Sequence, residues 1–266
     1  MSPDRRPKLV ACDLDGTLIA GENRLSPRVA AAVANAVASG LRVIAVTGRP
    51  WQWTLDLARA HDLRPTAVVS NGAALVDVET GEVESTGLAD GTVLVLMQRI
   101  REEVPEITFA VDGIDTMAYE PGFSDPTYVG DLEVGDLAPL VGRGVIKLIC
   151  RRPGLSGVDL AAALDHEVLD GVAVPYAGMG EWVELLPEGV SKASGLALVC
   201  ERLGIRASEV VAVGDAWNDL PMLAWAGMGV AMGNAGAEVQ AAADRVVAPA
   251  ADDGIADLLD ELAAAR

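Results

Sequence analysis

Histidine and cysteine are scarce in this chain of 266 residues, which holds two of the first and three of the second. His61 and His166 lie far apart, one near a helix end and one on a predicted helix, without the neighbours that an imidazole metal site needs. Cys12, Cys150 and Cys200 show no paired spacing, which excludes a disulfide framework or a zinc knuckle and suits a reducing interior. No uninterrupted apolar run approaches the roughly 18 residues of a membrane span. No basic start leads into an apolar stretch with a small-residue cleavage site, so the expectation is a cytoplasmic protein. Bases are short as well: 20 Lys and Arg stand against 39 Asp and Glu, a formal charge of −19. That balance argues against a nucleic-acid backbone or an anionic membrane as the main partner. A Gly-Lys-Ser/Thr phosphate loop is missing, and the scattered glycines from Gly229 to Asn234 are too weak a pattern for a dinucleotide loop.

What is present is a repeated sequence of short apolar runs that stop at polar, glycine-containing turns. Leu9-Val10-Ala11 predicts a buried strand, and Asp13 and Asp15 follow it before Gly16 punctuates the run. Leu18 to Leu25 passes through Gly21-Glu22-Asn23 and predicts a small hairpin or flap beside the acids. Ser26-Pro27 opens a helix that ends at Gly40, with Ser26 as the cap and Pro27 in the first turn. Leu41–Val46 is a second strand and runs into Thr47-Gly48-Arg49-Pro50; Thr47 either caps a helix or, with backbone N–H groups and Arg49, binds an oxyanion. A helix over Trp51–Ala60 leads to a third strand, Ala67–Val69, which stops at Ser70-Asn71-Gly72, and Ala74–Val78 with Glu82–Ser85 forms a hairpin.

From about Thr86 the pattern changes. A helix over Gly91–Glu103 is followed by extended segments at 107–111 and 116–119, a Gly- and Pro-rich stretch from Pro121 to Gly144 with few helix signals, and a strand at Val145–Cys150. A helix at Val158–His166 and strands at Val172–Tyr176 and Trp182–Leu186 complete the block, which reads as a separate α+β domain inserted into the first. In Trp182-Val183-Glu184-Leu185, Glu184 shares a strand face with Trp182; it is either a solvated edge residue or a group facing substrate hydroxyls.

After Pro187-Glu188-Gly189 the strand–helix alternation returns. The helix Ser191–Leu203 starts on Ser191-Lys192, and a Lys there opposes the helix dipole unless it snorkels into solvent or meets negative charge. Val210–Val213 runs into Gly214-Asp215-Ala216-Trp217-Asn218-Asp219, a set of hard oxygen donors suited to Mg²⁺ or, in the plainer alternative, a helix cap. Helices at 220–226, 237–243 and 254–265 alternate with the strand from Gly229 and one at Val246–Ala248. In an open α/β sheet the carboxyl ends of the strands face the ligand crevice, so Asp13, Asp15, Thr47, Asn71, Asp215, Asp219 and Lys192 are expected in one site.

Asp13-Leu14-Asp15-Gly16-Thr17-Leu18, Thr47-Gly48-Arg49, Ser70-Asn71-Gly72-Ala73, Ser191-Lys192 and Gly214-Asp215 to Asn218-Asp219 resemble the motifs of the haloacid dehalogenase superfamily. Their order and spacing are similar to those of its Cof-type (subclass IIB) phosphatases, across residues 7–85 and 188–266. The resemblance implies a Rossmann-like doubly wound parallel-sheet core, residues 1–85 and 188–266, with an inserted α+β cap domain over 86–187. It also implies a Mg²⁺-dependent phosphatase of a small phosphorylated metabolite, a sugar phosphate being the best guess, working through an aspartyl-phosphate. Asp13 would be the nucleophile and Asp15 the acid–base; Thr47, Gly48, Lys192 and Asn218 would hold the phosphate; and Asp13, Asp15 (through its carbonyl), Asp215 and Asp219 would serve the metal. Arg49, Asn71 and Glu184 would meet the substrate or the cap. A phosphomutase on the same core and a non-catalytic Mg²⁺-dependent phospho-acceptor are the rivals. A halide-releasing dehalogenase would not need an acid of the Asp15 type.

Overall fold

The computed structural model describes residues 6–265 apart from 22, 124–131, 165–168, 170–172 and 178–179, so His166 lies outside the described residues. The chain divides into two compact units, Met1–Glu84 with Ser191–Arg266, and Ser85–Val190.

In the first unit the apolar runs become a parallel sheet of five strands: β1 (Leu9–Cys12), β2 (Arg42–Ala45), β12 (Val210–Gly214), β13 (Met228–Ala231) and β14 (Arg245–Val246), in the order β14-β13-β12-β1-β2. β1 is buried at every residue, as a central strand covered on both faces must be. Leu9 and Ala11 pack in one cluster with Leu196, Val199, Met222 and Leu223, which belong to helices α6 (Lys192–Leu203) and α7 (Leu220–Trp225). Val10 is fully buried and points the other way by strand alternation, and α1 (Pro27–Ala38) and α9 (Gly254–Ala264) are two helices in direct contact. Ser26 caps α1 as expected, its hydroxyl accepting from the N–H of Val29 at 3.1 Å. Helix α2 (Trp51–Ala60) runs over the predicted residues, with His61 at its C-terminal cap.

One expectation gives way in part. Of the hairpin or flap expected over Leu18–Leu25, no strand pairing of a hairpin forms among the described residues; Leu14–Ile19 closes as a tight turn, Ile19 N–H donating to Leu14 O at 2.8 Å, with a lone bridge between Asp15 and Ile19. The third strand, β3 (Thr66–Val69), runs beside the end of β2, with a parallel bridge from Val68 to Val46 and the Thr47 N–H donating to Val68 O at 2.9 Å, and it also pairs antiparallel with β4 (Ala74–Asp77), beside β5 (Val83–Ser85).

The second unit is a six-stranded sheet, β10-β11-β9-β6-β7-β8, antiparallel except for the pair β7–β8. Its strands are β6 (Thr108–Gly113), β7 (Met117–Tyr119), β8 (Glu133–Val134), β9 (Val145–Arg151), β10 (Ala173–Ala177) and β11 (Trp182–Pro187). Phe109, Val111, Leu148, Cys150, Val183 and Leu185 turn one face toward helices α3 (Asp90–Glu103) and α5 (Gly157–Ala163). The other face carries Ala110, Ile149 and Trp182, together with Lys147 and Glu184. The stretch from Pro121 to Gly144 does contain a short helix, α4 (Ala138–Val141), whose Val141 and preceding Leu137 are buried in the core; packing rather than propensity makes that turn. Helix α8 (Ala237–Ala242) completes the set. No helix among the described residues is long and apolar enough to cross a membrane.

Candidate active site

Asp13 follows β1 and Asp215 follows β12, and these strands are paired in register from Leu9–Val210 to Cys12–Val213. The strand order reverses there, β2 lying on one side of β1 and β12 on the other, which is where connecting loops part and leave a crevice. The turn after Asp15 requires glycine twice over. Gly16 has φ of +79°, and a Cβ on it would stand 2.2 Å from Asp215 Oδ2.

Lys192 projects from the first residue of α6, where Ser191 and Ser194 form a reciprocal cap, and its side chain is 1 % exposed. The ammonium donates to Asp13 Oδ1 at 2.7 Å and to Asp219 Oδ1 at 2.6 Å. Solvent snorkelling is thereby excluded, and two buried carboxylates offset the unfavourable helix end. Asp219 Oδ2 accepts from the N–H groups of Asp215 and Ala216, each at 2.9 Å, so this side chain orients the β12 loop as well as Lys192. Asp215 Oδ1 accepts from the Thr17 hydroxyl at 3.1 Å and its Oδ2 from Asn234 Nδ2 at 3.0 Å.

Three carboxylates around one ammonium leave uncompensated negative charge in a buried place. Burial is the main force pushing Asp13 up to about 8, with Asp219 and Asp215 adding to it and Lys192 pulling back. Asp215 is pushed up to about 6 by burial and by Asp219. For Lys192 burial works against the charge, yet the fields of Asp13 and Asp219 outweigh it and hold the ammonium protonated. Donor atoms of Asp13, Asp215 and Asp219 all lie within 4.8 Å of one another. A hard divalent cation fits that oxygen set and its excess charge. Cys12, adjacent to Asp13, is no competing nucleophile, because burial raises its thiol far above the usual range.

Thr47 is buried at the end of β2, its hydroxyl accepting from the Arg49 N–H at 3.1 Å. Gly48 packs so closely that an added Cβ would sit 3.1 Å from Asn71 Oδ1. Asn71 adopts φ of 57° after β3 and accepts at Oδ1 from Asn218 Nδ2 at 2.8 Å. Asp15, unlike Asp13, has its side chain 61 % exposed, and Arg49 grips it in a fork, Nε to Oδ2 at 2.7 Å and Nη2 to Oδ1 at 2.5 Å. Glu184 belongs to the second unit, where its carboxylate accepts from the buried Lys147 ammonium at 2.7 Å.

Sequence reasoning missed Thr17 and Asn234. The signal for Asn234 was there, a polar residue past the carboxyl end of another parallel strand; it donates to Gly16 O as well as to Asp215, both at 3.0 Å.

Comparison with known proteins adds to this geometry. The sequence pattern of the haloacid dehalogenase-like hydrolases matches residues 10–259. The 5-amino-6-(5-phospho-D-ribitylamino)uracil phosphatase YitU of Bacillus subtilis is 27% identical over 97% of this chain and 98% of its own length. A chloroplastic endoribonuclease YBEY of Arabidopsis thaliana is 25% identical over 96% of this chain, which spans only 46% of that protein. Among solved structures, a haloacid dehalogenase-like hydrolase from Bacteroides thetaiotaomicron superposes with a TM-score of 0.83 at 27% identity, covering 96% of this chain and 99% of that one.

Proposed function

Since the chain belongs to the haloacid dehalogenase-like hydrolase family, we propose that it is a Mg²⁺-dependent phosphatase acting on a small phosphorylated metabolite through an aspartyl-phosphate. The observation that carries this reading is the buried Asp13 carboxylate held by Lys192 within reach of Asp215 and Asp219. Asp13 attacks phosphorus, the bond to the leaving oxygen breaks, and Asp15 gives that oxygen a proton. Water then attacks the aspartyl-phosphate and passes its proton to Asp15; the bond from phosphorus to Asp13 breaks and inorganic phosphate leaves. Thr47, Gly48, Lys192 and Asn218 hold the phosphoryl oxygens, and positioning with charge neutralisation supplies most of the rate. Asp13, Asp215 and the main-chain carbonyl of Asp15 would hold Mg²⁺, with Asp219 and Asn218 in support, and when bound it would supply neutralisation of charge on the phosphoryl group. Cytoplasmic residence is part of the same reading, supported by three free, buried cysteines.

The test is release of inorganic phosphate from p-nitrophenyl phosphate with and without chelator. Activity is expected to vanish on chelation, return with Mg²⁺ and fall with Ca²⁺, whose looser coordination disturbs in-line attack. Full turnover in excess chelator would remove the metal from the reading. The raised acids add a pH signature. Between the unfolded Asp value of about 4 and the folded values of about 6 and 8, the metal-free folded chain binds more protons than the unfolded one. Its stability is therefore expected to fall as pH rises through that window. Mg²⁺ binding expels those protons, so its apparent affinity should climb by up to roughly tenfold per pH unit from 6 to 8. Calorimetric titration at pH 6 and pH 8 measures this, and equal affinities would contradict the proton linkage.

The substrate class we propose is a phosphorylated polyol or sugar, supported by the phosphoribityl chain that the name of the Bacillus relative carries. The second unit is proposed as the cap that selects it, with Glu184 facing hydroxyls. Glu184→Gln keeps an acceptor for Lys147 and is expected to raise KM several-fold for the best polyhydroxylated substrate while sparing p-nitrophenyl phosphate. Unchanged KM for both esters would take Glu184 out of substrate selection.

A further inference from the structure

The two acids of the leading motif have different cations. Asp13, buried, belongs to Lys192; Asp15, exposed, belongs to Arg49. Arg49 is fixed at both ends of its own peptide unit, its N–H donating to Thr47 Oγ1 at 3.1 Å and its carbonyl accepting from the Ser70 N–H at 2.9 Å. From that anchor the guanidinium spans to Asp15 with two bonds and donates through Nη1 to Asn23 Oδ1, in the segment that follows the acid turn. A planar fork matched to both carboxylate oxygens fixes the plane and direction of that carboxylate, which a single-point ammonium does not do. The pair is open to solvent on the Asp15 side, so it adds little to folding.

We propose that Arg49 is the positioning residue for the acid–base Asp15, holding its carboxylate in one orientation and coupling it to Asn23. The inference rests on the phosphatase reading above. In the first half-reaction the bond from phosphorus to the ester oxygen breaks as that oxygen takes the Asp15 proton. In the second, water loses a proton to Asp15 as its oxygen bonds to phosphorus and the bond to Asp13 breaks. A misdirected Asp15 slows both transfers, and the first only as far as the leaving oxygen needs the proton.

Arg49→Gln is compared with wild type on p-nitrophenyl phosphate and on an alkyl phosphate, in single-turnover and steady-state measurements. The phosphorylation step is expected to fall by about tenfold to a hundredfold for the alkyl ester and by less than about threefold for the aryl ester, with dephosphorylation slowed for both. Arg49→Lys, which keeps charge without the fork, should recover only part of the loss. Asn23→Gly keeps the positive φ of that position and removes the side chain, so it should reproduce a fraction of the effect in a chain whose Arg49 is intact. The deciding comparison is a double-mutant cycle: in an Asp15→Asn background, Arg49→Gln should cost nothing further, because it acts only through Asp15. Additive losses, equal losses with both leaving groups, or a raised KM at unchanged kcat would overturn the proposal and make Arg49 a substrate contact or a structural residue. A wild-type chain that releases no phosphate from either ester would instead overturn the phosphatase reading, and this inference with it.

Discussion

Asp13→Asn is expected to lower kcat by at least about 10⁴-fold and to abolish incorporation of labelled phosphate into the protein, since it deletes the nucleophile itself. The change is isosteric and leaves Lys192 its second partner, Asp219. The fold should survive, and the metal-free variant should be at least as stable as wild type near pH 8. The sign follows from burial, which lifts Asp13 to about 8 in the folded chain. An acid whose folded value exceeds its unfolded value destabilises increasingly as pH rises from about 4, and Asn has no such cost. The stability gain should therefore shrink toward pH 4. Thermal melts across pH, with rapid-quench measurement of phosphoenzyme, examine both halves. A variant that still forms a covalent phosphate adduct would end the assignment of Asp13 as nucleophile.

Lys192→Met should be damaging to both stability and rate, in contrast to Asp13→Asn. Methionine fills much of the same unbranched volume, but it leaves Asp13 and Asp219, 4 % and 0 % exposed, facing each other with no cation between them. Removing one partner of a buried ion pair costs about 3–5 kcal/mol, because the remaining charges stay desolvated. For a unit of this size that corresponds to roughly 10 °C in Tm. The loss of a donor to the transferring phosphoryl group should lower kcat by about 10²–10³-fold. Lys192 is held protonated far above neutrality by the two carboxylates, so its own titration contributes no slope between pH 5 and 9. The slope of the variant comes from the acids: its stability should drop more steeply than that of wild type as pH rises above 5, and added Mg²⁺ should restore part of it. A variant with wild-type Tm at pH 8 would show that the ammonium does not compensate those charges.

The sequence by itself determined the strands and what stands at their ends. Runs such as Leu9–Ala11 and Val210–Val213 are apolar on both faces and short, which in a chain alternating strand and helix leaves a covered parallel sheet as the arrangement they satisfy. Asp13, Thr47 and Asp215 then fall at carboxyl ends by position alone. Local chemistry was equally legible at the Ser26 cap and in the turn that Gly16 punctuates. What only the tertiary structure decided is which polar group meets which. Lys192 and Asp13 are 179 positions apart and touch because α6 packs against the sheet beside β1. Arg49 turns to Asp15, Asp219 spends its oxygens on Lys192 and two backbone N–H groups, and Asn234 reaches back to the acid turn. β3 meets both the end of β2 and the hairpin strand β4, and a helix forms between Pro121 and Gly144 where helix signals are few. These outcomes depend on register, twist and long-range packing, which side-chain type and spacing along the chain do not encode.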